Sequence, residues 1–369
     1  MLAREVISMS EEPIAPDEAV DMWLDHQRST RADSTIQSYG YRLAPFVDWC
    51  EEEGIEDLAK LSSRDVFRFE SDRRADDLTI ATLNNQIGTL KQFLSFAARI
   101  EAVDDDLPQK IEVPTSEEFN AFVSEEKLST SRAEQIREDL DRYARASRRQ
   151  AMFELLWHTG CRVGGLRSLD LADCYFDSED LERLRHQPDV DAAVLDSVEP
   201  PFLYFRHRPD AAVPTPLKNH ERSERPVALA DDVAARVQEY IDVQRVDRPD
   251  GDDRRPLFTT ESGEHGRVST SSVRREVYIM TQPCRYGDCP HNREPETCEA
   301  TAHSYEARCP SSRSPHPIRS GAITRMRDNG WPPEAVGERV DATPETIRLH
   351  YDMPDQIRRM QSRRDYLEA

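Results

Sequence analysis

Residues 314–352 read SPHPIRSGAITRMRDNGWPPEAVGERVDATPETIRLHYD, and the organisation of the chain follows from how this stretch folds. His316 and Arg319 stand three apart just behind Pro315. A helix that starts at a proline places both on one face. Asn329-Gly330 marks a turn, and two further short helices carry the chain to Tyr351. The expectation is that folding gathers His316, Arg319 and Tyr351 around one phosphate.

The 369 residues suffice for two or three domains with cores of their own. Acidic residues number 71 against 49 basic ones, a net charge of -22. That balance lacks the basic footprint of an ordinary nucleic-acid binder. The basic residues are skewed as well: Lys occurs only at 60, 91, 110, 127 and 218, so 49 − 5 = 44 are Arg. Abundant carboxylates, scarce lysine and few large apolar residues point to a halophilic protein. At about 1 M salt the Debye length is near 3 Å, so acidic self-repulsion is screened and the charge no longer argues against DNA. Neither a secretory leader nor an apolar run of membrane-spanning length is present in the sequence, which leads us to expect a soluble, cytoplasmic protein with no membrane partner.

Upstream, residues 1–15 read as an acidic, flexible arm. Residues 17–28 form a candidate first helix. Ile36, Tyr39, Leu43, Phe46, Val47 and Cys50 then recur at helical spacing before Gly54, with Asp33 or Ser34 as the cap. A short helix near 63–70 and a longer one over 79–98 complete a helical bundle spanning 16–101. Residues 102–116, acidic with two prolines, read as a linker. The second domain, 117–369, opens with a helix expected over 139–158, with Leu140, Tyr143, Met152, Leu155 and Leu156 turned inward and Gly160 as its stop. Two strands, 202–208 and 225–229, flank a hairpin that carries Lys218 near its tip. Helices over 231–246 and 269–280 follow. The fold class expected is mainly α with a small β-sheet (α+β).

Arg162, Lys218, His316, Arg319 and Tyr351 form a chemically coherent set. Two arginines can clamp a phosphodiester and offset the charge that grows on it during in-line displacement. A tyrosine hydroxyl can form a covalent phospho-enzyme. Lysine can protonate a leaving oxygen, which arginine cannot. His316 can bond a non-bridging oxygen or assist proton transfer. Such chemistry needs no metal. In a chain that uses arginine almost everywhere, Lys218 is the only lysine after residue 127, which suggests a position that needs a titratable amine. Tyr39, Tyr41 and Tyr143 lack an arginine-rich context and read as structural, and His350 reads as surface-facing.

These residues carry a resemblance. Thr159-Gly160-Cys161-Arg162-Val163, the hairpin from Lys218 to Arg225-Pro-Val-Ala-Leu229, His316-Pro-Ile-Arg319 and Thr346 to Tyr351 resemble, in order, the boxes of the tyrosine recombinase (phage integrase) family, in a haloarchaeal-type branch. STIQSY, FVDW and TLNNQIGTLKQFLSF within 34–100 resemble its N-terminal SAM-like core-binding domain. The resemblance spans most of residues 17–355. It implies a site-specific recombinase, or integrase, that binds double-stranded DNA, cuts and rejoins it through a 3′-phosphotyrosyl link, and acts as a tetramer on two sites. The bundle and the catalytic domain would clamp duplex DNA. The tail 355–369 would be exchanged between neighbours and dock through Ile357, Met360 and Tyr366.

Two positions depart from the pattern. Gly165 stands where the family has Glu or Asp, three residues past the first arginine. Counting nine back from Tyr351 reaches Ala342 where it has His, with Thr343 or Arg339 as candidate replacements. These departures motivate a second reading, a DNA-binding protein that keeps the fold and lacks strand exchange. Separately, residues 284–309 hold four cysteines in an otherwise cysteine-poor chain. Cys284, Cys289, Cys298 and Cys309 are the expected ligands of a structural zinc, with His291 as the alternative. The insert has little apolar content, so a metal would supply folding energy and brace the start of the His316 helix. Cys50, Cys161 and Cys174 sit among apolar residues and read as core.

Overall fold

Aromatic residues at helical spacing build the first part of the chain. The computed structural model describes residues 13–113, 126–185 and 197–351, with Ile357, Met360, Gln361 and Arg364 beyond them; the side chains of His350 and Tyr351 lie outside the described set. The chain divides into two units, Met1–Ser124 and Glu125–Ala369. Among the described residues no helix is long and apolar enough to cross a membrane.

The first unit contains α1 (Pro16–Arg28), α2 (Asp33–Glu52), α3 (Ser63–Ala75) and α4 (Ile80–Arg99). Pro16 starts α1, a position where its missing N–H costs nothing. Ser62 and Asp65 form a reciprocal cap on α3, and the Thr79 hydroxyl caps α4. The cap of α2 is Ala32 rather than Asp33 or Ser34, and Asp33 is instead its first residue, where its charge suits the helix dipole. Trp23, Phe46, Phe69 and Phe93 are buried at the centre. Trp23 lies 5.0 Å from Tyr39, and Phe46 meets Phe69 edge-on at 5.4 Å. Burying each large apolar side chain contributes roughly 1.5–3 kcal/mol, and these aromatics share the core with Leu43, Leu58, Ile87, Leu90 and Leu94.

The second unit is built on α6 (Arg148–Thr159), around which α5 (Thr130–Tyr143), α9 (Asp231–Val243), α10 (Thr270–Thr281) and α11 (Pro315–Asp328) pack. Between α6 and α9 come α7 (Val163–Ser168), α8 (Glu182–Arg185) and a three-stranded antiparallel sheet of β1 (Cys174–Tyr175), β2 (Phe202–Phe205) and β3 (Arg225–Ala228), in that order. The register pairs Leu203 with both Cys174 and Val227. After α11 come α12 (Pro333–Val340), a turn at Pro344–Thr346 and a π-helical turn, Ile347–Tyr351.

The single helix expected over 139–158 is two. Ala146 adopts a left-handed conformation (φ 57°), and the Ser147 hydroxyl caps α6 by accepting from the Gln150 N–H at 3.1 Å. The break turns Tyr143 outward, 59% exposed and stacked on Tyr286, so it is not a core residue. Strand β1 was not legible because two residues are too few to show an alternation.

Arg267 ties the loop after α9 to the end of α7 and the residues that follow it. It is fully buried, and its Nε and Nη2 donate to Asp250 Oδ2 at 2.9 and 2.7 Å. It also pairs with Asp170 and donates to the Arg167 carbonyl at 2.8 Å. Removing one side of a buried, hydrogen-bonded charge set leaves the other side uncompensated. Arg267→Ala is therefore expected to lower unfolding stability by about 3 kcal/mol in chemical denaturation; a loss within 1 kcal/mol, roughly the scale of a surface pair, would contradict that role.

Candidate active site

The site begins at a helix stop. Helix α6 ends at Gly160, whose φ of 63° is left-handed. A Cβ there would also approach Val340 Cγ1 to 3.0 Å, so the turn needs glycine on two counts. Two residues later Arg162 caps α7. From a distant part of the chain, Pro315 starts α11, with His316 exposed in its first turn. Arg319, one turn on, is only 4% exposed. Its Nη1 donates to the Gly160 carbonyl at 2.7 Å and the Val340 carbonyl at 2.6 Å. Those two carbonyls lie at the C-terminal ends of α6 and α12, where helix carbonyls lack intrahelical partners and the dipole is negative. One guanidinium thus draws three distant segments together.

Asp341 follows Val340 and adopts a left-handed conformation (φ 58°) at the end of α12. Gly337 permits this curl, because a Cβ there would sit 2.5 Å from the Ala342 carbonyl. The Asp341 carboxylate pairs with Arg162 Nη1. It also accepts from Asn219 Nδ2 at 3.0 Å and from Ser223 Oγ at 2.8 Å. Burial alone would raise its pKa, but the Ser223 and Asn219 hydrogen bonds and the charges of Arg162 and Arg225 hold it below the usual carboxylate range.

Asp341, the neighbour of Ala342, thus presents a hydrogen-bonding side chain to this cluster. The turn Ile347–Tyr351 that follows is π-helical. Ala342 itself packs against the small core of Ile323, Met326, Val336, Val340 and Ile347. Of the two candidate replacements, the Thr343 hydroxyl caps the turn after it, and Arg339 donates to the His158 carbonyl at 3.2 Å and stacks on Trp331. A Cβ on Gly165 would meet the Phe205 ring at 3.4 Å, and Arg225 lies over that same ring.

Arg162, His316 and Arg319 line one cleft of about 340 Å³, together with Arg274 and Tyr278 from α10. Lys218 is exposed and lines an adjoining, wider cleft of about 1120 Å³ with Asp341 and Thr343. Its hairpin is fixed by the Leu217 N–H donating to His207 Nδ1 at 2.9 Å and the Asn219 N–H donating to Ser223 Oγ at 3.0 Å. Asp341 joins the two clefts by holding Arg162 and Asn219 together. Tyr351 is placed through its backbone alone, at the end of a turn anchored by the buried Ile347.

Arg225 is a further member that the sequence reading passed over as a strand residue. Its Nε donates to the Arg339 carbonyl at 2.8 Å. Burial pulls its pKa down, with Arg319 and Arg162 adding to the effect and Cys161 and Asp341 opposing it. The cluster holds more cations than carboxylates, an arrangement suited to an anion.

In the insert, burial raises the Cys284 thiol, and Cys309, Cys289 and Cys298 raise it further, so the four sulfurs share one neighbourhood. His291 Nε2 hydrogen-bonds with Ser311 Oγ at 2.9 Å. Among the described residues no group of three or more His, Cys, Asp or Glu side chains stands in position to hold a metal ion. Cys50, Cys161 and Cys174 are buried, as expected of core thiols. In the tail, Ile357 and Met360 are exposed, and Tyr366 lies outside the described residues.

Residues 20–101 match the family of the phage integrase N-terminal SAM-like domain. Tyrosine recombinase XerC of Oceanobacillus iheyensis is 28% identical over 144 residues, 38% of this chain and 46% of that protein. In these stretches the chain is similar to the tyrosine recombinase, or phage integrase, family. It spans about half the length of the curated relatives it matches. The integrase of transposon Tn1549, solved with a circular intermediate DNA, has a TM-score of 0.64 at 13% identity, covering 96% of this chain and 99% of that one. XerH recombinase, solved after cleavage on a palindromic difH substrate, has a TM-score of 0.60 at 13% identity, covering 96% and 85%. These two likenesses establish a shared, mainly helical fold with a small sheet.

Beside the site, burial and the charges of Arg339 and Arg325 push His158 down to about 4 from 6.5. A histidine kept neutral in the fold stabilises above pH 6.5, where the unfolded chain is neutral too. That stability is lost as pH falls from about 6.5 toward 4, because there only the unfolded chain takes the proton. The urea midpoint of His158→Gln is expected to fall less across this window than that of the parent; equal pH slopes in the two proteins would contradict the assignment.

Proposed function

We propose that this chain is a site-specific DNA recombinase that cuts and rejoins double-stranded DNA through a 3′-phosphotyrosyl intermediate without metal in the chemistry. The observation that carries the proposal is the gathering of Arg162, His316 and Arg319 in one cleft, with Lys218 tethered beside it through Asn219 and Asp341. In this reading the Tyr351 oxygen attacks the phosphorus and its proton passes to His316. The P–O bond to the 5′-oxygen breaks, and that oxygen takes a proton from Lys218. Arg162 and Arg319 offset the charge on the non-bridging oxygens. A 5′-hydroxyl of a second strand reverses the step, so the bond energy is kept in the phosphotyrosyl link. Exchange between two duplexes requires four such nucleophiles, which makes a tetramer on two sites the acting species. The excess of acid over base and the scarcity of lysine support action in a concentrated-salt cytoplasm.

Incubating the protein with nicked DNA sites in concentrated KCl is expected to give an SDS-resistant protein–DNA adduct. Tyr351→Phe should abolish it while leaving DNA affinity intact. Sequence-specific binding with no adduct at any salt concentration would favour instead a DNA-binding protein without strand exchange.

For residues 284–309 we propose a structural zinc that draws Cys284, Cys289, Cys298 and Cys309, or His291 in place of one of them, into a tetrahedron. The shared neighbourhood of the four sulfurs supports this. Metal analysis of protein purified under reducing, chelator-free conditions should return about one zinc per chain. A stoichiometry near zero would refute the proposal.

A further inference from the structure

We infer that Asp341 is a positioning residue that holds two of the proposed catalytic cations, Arg162 and Lys218, in working register. The inference rests on the recombinase reading above. Its basis is one carboxylate shared between the segments that carry these two cations. On one side, Asp341 Oδ2 pairs with Nη1 of Arg162, which is half-exposed at the start of α7 and faces the cleft of His316 and Arg319. On the other, Oδ1 accepts from Asn219 Nδ2 at 3.0 Å, and Asn219 is the residue after Lys218. Ser223 completes the grip. It is buried, accepts the Asn219 N–H at 3.0 Å and donates to Asp341 Oδ2 at 2.8 Å.

The geometry gives each cation a different need for this carboxylate. An arginine on an exposed edge has many rotamers, and a charge-assisted contact to one nitrogen selects among them while its other donors remain turned toward the cleft. Lys218 sits on an exposed tip whose following residues form a single 3-10 turn, His220–Ser223, with His220 left-handed (φ 59°). Such a tip has little packing of its own, so the Asn219 and Ser223 contacts to Asp341 fix where the amine can reach. The backbone is suited to this placement. Asp tolerates the left-handed conformation that ends α12, next to the Arg319-bound Val340 carbonyl, and from there its carboxylate reaches Arg162. Asp341 thus transmits the position of the segment that leads to Tyr351 to both cations.

The test uses the full chain and Asp341→Asn, chosen because Asn also tolerates the left-handed backbone and keeps an acceptor for Asn219. Single-turnover adduct formation is measured on a nicked DNA site carrying either the ordinary phosphodiester or a 5′-bridging phosphorothiolate. The sulfur leaves as a stable thiolate and needs no proton from Lys218. The unfolding temperature of Asp341→Asn is expected to stay within a few degrees of the parent, and its DNA affinity within threefold. Its rate on the phosphodiester should fall at least tenfold, and the deficit on the phosphorothiolate should be at least fivefold smaller. Asn219→Ala, which cuts only the Lys218 side of the link, should show a deficit on the phosphodiester that disappears on the phosphorothiolate. An unchanged rate for Asp341→Asn, a defect confined to DNA affinity, or equal deficits on both substrates would overturn the inference. Failure of the parent itself to form an adduct marks failure of the recombinase reading, a result distinct from all three.

Discussion

Everything in the candidate site depends on Arg319 being buried where two helices end. Its Nη1 meets the Gly160 and Val340 carbonyls, and through them fixes the turn that leads to Arg162 and the turn that presents Asp341. Both carbonyls would otherwise be helix-end acceptors lacking an intrahelical partner, each costing roughly 1–3 kcal/mol if buried unmet. The stabilising contact and the assembling contact are therefore the same one. Helix α11 delivers Arg319 to this place because its buried face, including Ile318, Ala322 and Ile323, packs into the core of the second unit.

Around that guanidinium the charges are arranged unevenly. Arg162, Arg225, Arg319 and Lys218 converge from different elements, and Asp341 is the carboxylate set among them. Burial and mutual repulsion hold Arg225 below its ordinary value, and the same surroundings keep Asp341 ionised. An anion entering the cleft would relieve that repulsion without new side-chain movement, which is how preorganised charge favours a transition state over water. Salt screens such partly buried pairs far less than exposed ones, so an acidic exterior and a cationic cleft are compatible in one chain.

Much of this was legible in the sequence, and the exceptions have physical causes. His316 and Arg319 at a spacing of three behind a proline, and Arg162 behind a helix-stopping glycine, are local patterns that survive folding unchanged. The first bundle was legible for the same reason: its aromatic residues repeat at helical period. Asp341 was passed over because its partners Arg162, Asn219 and Ser223 reach it only by tertiary contact. Arg225 was missed because its role comes from the Phe205 ring and the Arg339 carbonyl, both supplied by tertiary contact. The break at Ala144–Ser147 was hidden because neither Gly nor Pro marks it; a left-handed alanine and a serine cap do the work.

The most direct measurement is a crystal structure of the Tyr351→Phe protein bound to its DNA site. The expected result is a backbone phosphate in the cleft of Arg162, His316 and Arg319, with guanidinium nitrogens about 2.7–2.9 Å from its oxygens and Arg319 still joined to the Gly160 and Val340 carbonyls. A phosphate bound elsewhere on the second unit, or an Arg319 that has released both carbonyls, would contradict the account.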